Sequence, residues 1–177
     1  TEIYTLSLHD ALPISLPELL ASPVRLANHP LEEGWRGLVD REDQGRSQNW
    51  FLENFDDTAW KPIQVGATFE SQIPELAEYD GAFWYRLRFQ VPETIRQDED
   101  ITLHIGAIDD ESAIWLNGQL LGEVTAKTHP GNYWSFPREF RLEPGQLKPG
   151  ENVLAVRVLD TYKSGGMMGR PARKSGV

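Results

Sequence analysis

The sequence predicts an all-β protein built as an antiparallel sandwich, on three observations. Phe83, Tyr85, Leu87, Phe89 and Val91 alternate with Trp84, Arg86, Arg88 and Gln90, and a period of two over nine residues marks a half-buried strand. Asn117-Gly118 separates the apolar residues 113–116 from residues 119–121. That pair accepts positive φ at both central positions, which makes it the strongest short hairpin signal. Residues 153–159 form a β-branched run entered through Pro149-Gly150-Glu151-Asn152, a turn followed by a strand.

The remaining elements follow in chain order. Residues 16–30, with Pro17, Pro23 and Pro30, read as an extended lead-in. A strand is expected near Trp35, followed by a polar loop over residues 40–48 and a short helical turn for which Asp56 is a suitable cap. Residues 60–65 read as a strand and residues 66–82 as a loop. After the alternating strand comes a charged hairpin tip at residues 97–100. Ile101, Leu103 and Ile105 then alternate with Thr102 and His104, a second half-buried strand. Pro144-Gly145 and Pro149-Gly150 punctuate the late turns. Beyond Leu159 the chain is glycine-rich, with Gly165, Gly166 and Gly169. There is no internal repeat.

Composition narrows the function. The net charge of −10 repels phosphate backbones, so nucleic acid is not an expected partner. Neutral sugars are indifferent to that charge. No apolar run is long enough to span a bilayer, so no membrane partner is expected either. Cysteine is absent, which excludes disulfides, thiolate nucleophiles and zinc-thiolate sites and leaves the compartment open. Six tryptophans suit a sandwich core or a saccharide surface equally.

No local motif carries catalysis. There is no GxSxG elbow, phosphate-binding glycine loop or HExxH helix. His29, His104 and His129 are too scattered for a local metal pair, and no metal or cofactor is expected. A retaining glycosidase needs two carboxylates about 5–5.5 Å apart. Asp109-Asp110-Glu111 is the only tempting acidic cluster, and its place between two strands points to turn chemistry. Asp98-Glu99-Asp100 lacks the glycine and ligand spacing of a calcium loop.

Several motifs in sequence resemble one family. Tyr79-Asp80-Gly81, Trp84-Tyr85-Arg86 and Phe89-Gln90-Val91-Pro92 precede Gly106-Ala107-Ile108-Asp109-Asp110. Ile114-Trp115-Leu116-Asn117-Gly118 and the run 150–158 come after. Trp35, Asp40, Gly45, Trp50, Phe55-Asp56-Asp57 and Trp60 resemble the entry segment of the same domains. Together, over roughly residues 31–171, they resemble the N-terminal sugar-binding domain of family-2 glycoside hydrolases of the β-galactosidase-like group. The resemblance implies a jelly-roll β-sandwich of galactose-binding-domain-like type, docked on a separate catalytic barrel. The acid/base of such enzymes lies in an Asn-Glu pair of the barrel, and no Asn-Glu dipeptide occurs here. The resemblance also implies that an acidic residue near Asp160 faces the neighbouring active site. The structural alternative for Asp160 is a turn residue hydrogen-bonding Gly165 or Gly166.

Residues 1–15 resemble instead the translation of a common sequencing adapter and are set aside from the fold. That leaves residues 16–177, 162 residues forming one sandwich domain whose last strand is expected to be cut short at the C-terminal end. Removing Glu2 and Asp10, in a segment without Lys or Arg, brings the net charge from −10 to −8.

A sugar site needs an aromatic platform edged by polar groups. The best candidate is the loop His129-Pro130-Gly131-Asn132-Tyr133-Trp134. If Tyr133 and Trp134 lie in a strand they point to opposite faces, which exposes one of them. Trp84, Arg86 and Arg88 share a face and suggest a cation–π ladder against a second sheet or domain. Trp35, Trp50, Trp60 and Trp115 are assigned to packing. The expected function is that of a non-catalytic accessory domain. It would dock on the parent chain's catalytic barrel, shape the substrate cleft and touch a galactoside-like carbohydrate through Tyr133, Trp134, His129 or Asp160. An independent carbohydrate-binding module, or the same domain within a carbohydrate esterase, are the alternatives.

Overall fold

Eleven strands form two antiparallel sheets in a computed structural model that describes residues 27–94, 101–169 and 172–175. Residues 1–26 and the tip at 97–100 lie outside the described residues. In chain order the strands are β1 (Ala27–Pro30), β2 (Arg36–Asp40), β3 (Lys61–Pro62), β4 (Gly81–Val91), β5 (Ile101–Asp109) and β6 (Glu111–Leu116). They continue with β7 (Gln119–Val124), β8 (Pro137–Leu142), β9 (Gly150–Asp160), β10 (Gly166–Met167) and β11 (Ala172–Ser175). One sheet runs β3-β2-β4-β9-β6-β7. The other is centred on β5, which pairs β8, β10 and β11, with β1 beyond β11.

The core lies between the sheets. Phe83, Tyr85, Leu87 and Val91 of β4, Ile114 and Leu116 of β6, and Leu154, Val156 and Val158 of β9 face Ile101, Leu103, Ile105 and Ile108 of β5. The alternation expected for β5 holds as far as Ile105. There the register against β8 shifts and Gly106 takes φ 81°. This is a bulge that changes phase and turns Ile108 inward.

Strand β4 departs from the half-buried expectation, because residues 82–87 are buried on both faces. The outer face is covered by the chain's own residues 41–60. These seat Trp50, Phe51 and Phe55 on a second apolar cluster of Trp60, Trp84, Ala113, Trp115 and Ala155. The Asp40 carboxylate anchors the segment, accepting the amides of Gln44 and Gly45 at 2.8 Å each and Trp84 Nε1–H at 2.9 Å. The cation–π face therefore meets a loop of the same sheet: Arg86 lies 5.4 Å from the Phe55 ring centre and 6.0 Å from that of Trp60.

Local corrections have simple causes. Asp56 accepts the Thr58 amide at 3.0 Å, an Asx turn that satisfies the backbone without a helix. The strand expected at 60–65 shortens to β3, where Pro62 lacks a donor to extend the ladder. The loop at 66–82 holds one 3-10 turn, Pro74–Leu76, and ends where β4 begins.

The β6–β7 hairpin forms as expected, with Asn117 at φ 51° and Gly118 at φ 79°, a type I′ turn. Asn117 does more than turn the chain. Its Oδ1 accepts the Val153 amide at 2.9 Å, and its Nδ2 donates to Gln146 O at 2.9 Å and Asn152 Oδ1 at 2.8 Å. Asn117→Gly keeps the positive φ and deletes all three bonds. We expect it to lower unfolding free energy by about 2–3 kcal/mol in urea titration, at about 1 kcal/mol per bond. A loss under about 0.5 kcal/mol would show that the turn alone matters.

Candidate functional site

The register brings several loops to one end of the sandwich. Asp40 pairs Ala82, Gly81 pairs Asp160, Glu111 pairs Leu159 and Ser112 pairs Val124. The loops after β2, before β4, between β5 and β6, between β7 and β8, and after β9 therefore emerge together. Side chains tie them. Glu111 accepts the Ala126 amide at 2.9 Å. Asp110 Oδ2 accepts both the Thr161 amide at 3.0 Å and its hydroxyl at 2.6 Å. Arg138, 1 % exposed, donates to Ser112 Oγ at 2.9 Å, Phe136 O at 2.5 Å and Asp110 O at 2.7 Å.

All four sequence candidates, His129, Tyr133, Trp134 and Asp160, belong to this end, and their environments differ. Residues 128–135 form turns, so the opposite-face rule for strands does not apply to them. The Tyr133 and Trp134 rings meet edge to face at 5.2 Å. Trp134 is 44 % exposed. His129 packs on Phe136 with ring centres 4.1 Å apart. Asp160 is 1 % exposed and points inward, its Oδ1 accepting the Tyr162 amide at 3.1 Å. The Gly165 amide goes to Glu70 Oε1 at 2.9 Å, not to Asp160. Tyr162 and Met168, at 68 % and 43 % exposed, join Trp134 on the same end. Only the placement of Tyr162 two residues past the strand end hinted at this in the sequence.

The end is electrostatically unusual. Burial above all, then the Asp110 hydrogen bond and the charges of Asp110 and Asp160, push the Asp109 carboxyl up to about 7. Burial pulls the Arg138 guanidinium down to about 10 despite Asp109 and Asp110. Among the described residues no group of three or more His, Asp or Glu side chains is placed to hold a metal, and no helix is long and apolar enough to cross a membrane. Two open depressions, of about 530 and 380 Å³, lie away from this end, against Glu32 and Glu33 of the β1–β2 link. The loop end offers an exposed aromatic surface.

Comparison with known proteins gives a concordant picture. Residues 45–164 match the family model described as β-galactosidase second all-beta domain. A β-glucuronidase of Paenibacillus borealis is 28% identical over 102 residues, covering 58% of this chain and 16% of the relative. The crystal structure of Bacteroides uniformis β-glucuronidase superposes with a TM-score of 0.66 at 19% identity, covering 84% of this chain and 18% of that one. Ruminococcus gnavus β-glucuronidase gives 0.69 at 15% identity, covering 84% and 28%. The chain thus spans less than a third of the length of each of these proteins.

Proposed function

We propose, from the premise that this chain belongs to the β-galactosidase second all-beta domain family, that it serves a family-2 glycoside hydrolase as an accessory wall. In this reading it docks on the catalytic barrel through its loop end and leaves the chemistry to that barrel. One observation carries the reading. Among the described residues, three of the five exposed large apolar side chains, Trp134, Tyr162 and Met168, lie on the loop end. An apolar surface exposed at one end of a sandwich calls for a partner. Tyr133, Trp134 and His129 form the rim expected to touch sugar. Exposed Asp80 at this end favours a neutral galactoside over a uronate, since like charges repel. Residues 1–15 fall outside this function as adapter-derived sequence.

Reading the locus through both ends of the coding frame tests the architecture. An in-frame barrel with paired carboxylates, and no genomic template for residues 1–15, are the expected results. A binding titration tests the division of labour. Tryptophan fluorescence of the isolated chain should show no saturable change with methyl β-galactoside or methyl β-glucuronide. In the intact gene product, Trp134→Ala should weaken substrate binding by roughly 1–3 kcal/mol, the scale of one aromatic contact. Saturable binding by the isolated chain, abolished by the same substitution, would turn the assignment to an independent carbohydrate-binding module.

A further inference from the structure

Three sealed polar atoms surround Gly165 and Gly166 at the loop end. Asp160 Oδ2 and Glu70 Oε2 have no hydrogen-bond partner among the described residues. The Tyr85 hydroxyl, against the Gly166 and Met167 backbone, also lacks a well-formed bond. The chain passes tightly over this group. A Cβ on Gly165 would lie 2.6 Å from Asp160 Cβ and 2.9 Å from Phe69, so the Asp160 carboxylate has no room to swing toward water.

The groups facing Asp160 from each packed element are mostly acidic. Glu70 approaches from the loop before β4, Asp80 from the residue preceding β4, and Asp109 and Asp110 from the β5–β6 turn. The cations of this end are engaged elsewhere. Arg138 is held by Ser112, Phe136 and Asp110, Lys163 lies over the Tyr162 ring at 4.9 Å, and Arg41 over Tyr79 at 5.1 Å. A buried carboxylate without counterion or sufficient donors is costly when ionised. The neutral acid avoids that cost.

We propose that Asp160 is a proton-operated latch. Protonated, it pins residues 161–168 over β4 and the Phe69–Glu70 loop. Ionised, it loosens that segment together with the exposed Tyr162 and Met168. The latch stands on this cluster alone and does not require the docking described above.

Titration supports the geometry. Burial first, then Glu70, Asp80 and Asp110, raise the Asp160 carboxyl to about 6 from an ordinary 3.8, against the Tyr162 amide, which lowers it. The folded chain therefore keeps a proton that the unfolded chain has released. The contribution of this group to stability declines as pH rises from about 4 to about 6, and the decline is complete above.

Hydrogen exchange of residues 161–168, compared at matched pH between wild type and Asp160→Asn, reads the latch directly. Asn cannot ionise. The two proteins should exchange alike at pH 5, and the wild type at least about tenfold faster at pH 7.5. Equal exchange at pH 7.5, or slower exchange in the wild type, overturns the proposal. Should the variant not fold, carbon NMR of the Asp160 carboxyl in the wild type decides. A midpoint near 6 that falls in Glu70→Gln supports the latch, and a midpoint near 4 overturns it.

Discussion

Asp57→Ala is expected to destabilise the fold by about 3–5 kcal/mol, because it strands a buried guanidinium. Arg86, 1 % exposed, stands mid-strand in β4 and donates Nε–H to Asp57 Oδ2 at 2.8 Å. Its remaining donors reach Trp50 O and, at 3.2 Å, Leu52 O. Arg88 approaches the other carboxylate oxygen at 3.4 Å, so one Asp serves two cations. Burial lowers the Arg86 pKa and the Asp57 hydrogen bond and charge oppose it. The pair thus sits where an unmatched charge has no access to water. Urea unfolding of Asp57→Ala measures the cost, and a loss below about 1 kcal/mol would sink the argument. The double variant Asp57→Leu/Arg86→Met removes both charges and should be more stable than the single one, since the uncompensated charge dominates the cost. It should not reach wild type, because the Trp50 and Leu52 carbonyls lose their donors.

The same residues show where the sequence was legible. Period two made β4 and β5 readable, the Asn-Gly pair located the β6–β7 hairpin, and the turn before Val153 announced β9. Each is a local signal read within a few residues. The covering of the outer face by residues 41–60 is not local. Asp40 meets Trp84 and Asp43 meets Arg157 across 44 and 114 positions, while the segment itself reads as a polar loop. Gly45 carried the one hidden clue: a Cβ there would lie 2.4 Å from the Trp84 ring and 2.8 Å from Trp50. Tyr133 and Trp134 stand out by residue type, but the opposite-face rule for strands does not hold there, because residues 128–135 form turns. Asp160 was visible as an acid at a strand end. Its burial was not, because Glu70 and Gly165 seal it from the two sides of the chain.

Trp84→Ala should be the most damaging single truncation on the outer face, at about 3–5 kcal/mol. The side chain is fully buried, stacks on Trp115 with ring centres 5.2 Å apart, and meets Trp50 edge-on at 5.9 Å. Its Nε1–H satisfies an Asp40 oxygen that also holds the Gly45 amide. Removing it opens a cavity in the smaller of the two apolar clusters and loosens the anchor of residues 41–60 at once. The loss should therefore appear twice, as a lower unfolding free energy and as faster tryptic cleavage at Arg46 under native conditions. Trp84→Phe separates the two contributions. It keeps most of the ring contact and deletes the hydrogen bond, and should cost about 1–2 kcal/mol while leaving Asp40 two amide donors. If Trp84→Ala lost stability without speeding cleavage, the segment would be held by Asp57 and Arg86 rather than by the tryptophan stack. Asp40 lies at the same end as Asp160, since Asp40 pairs Ala82 and Gly81 pairs Asp160, so a seated outer loop also fixes one border of the surface proposed to dock.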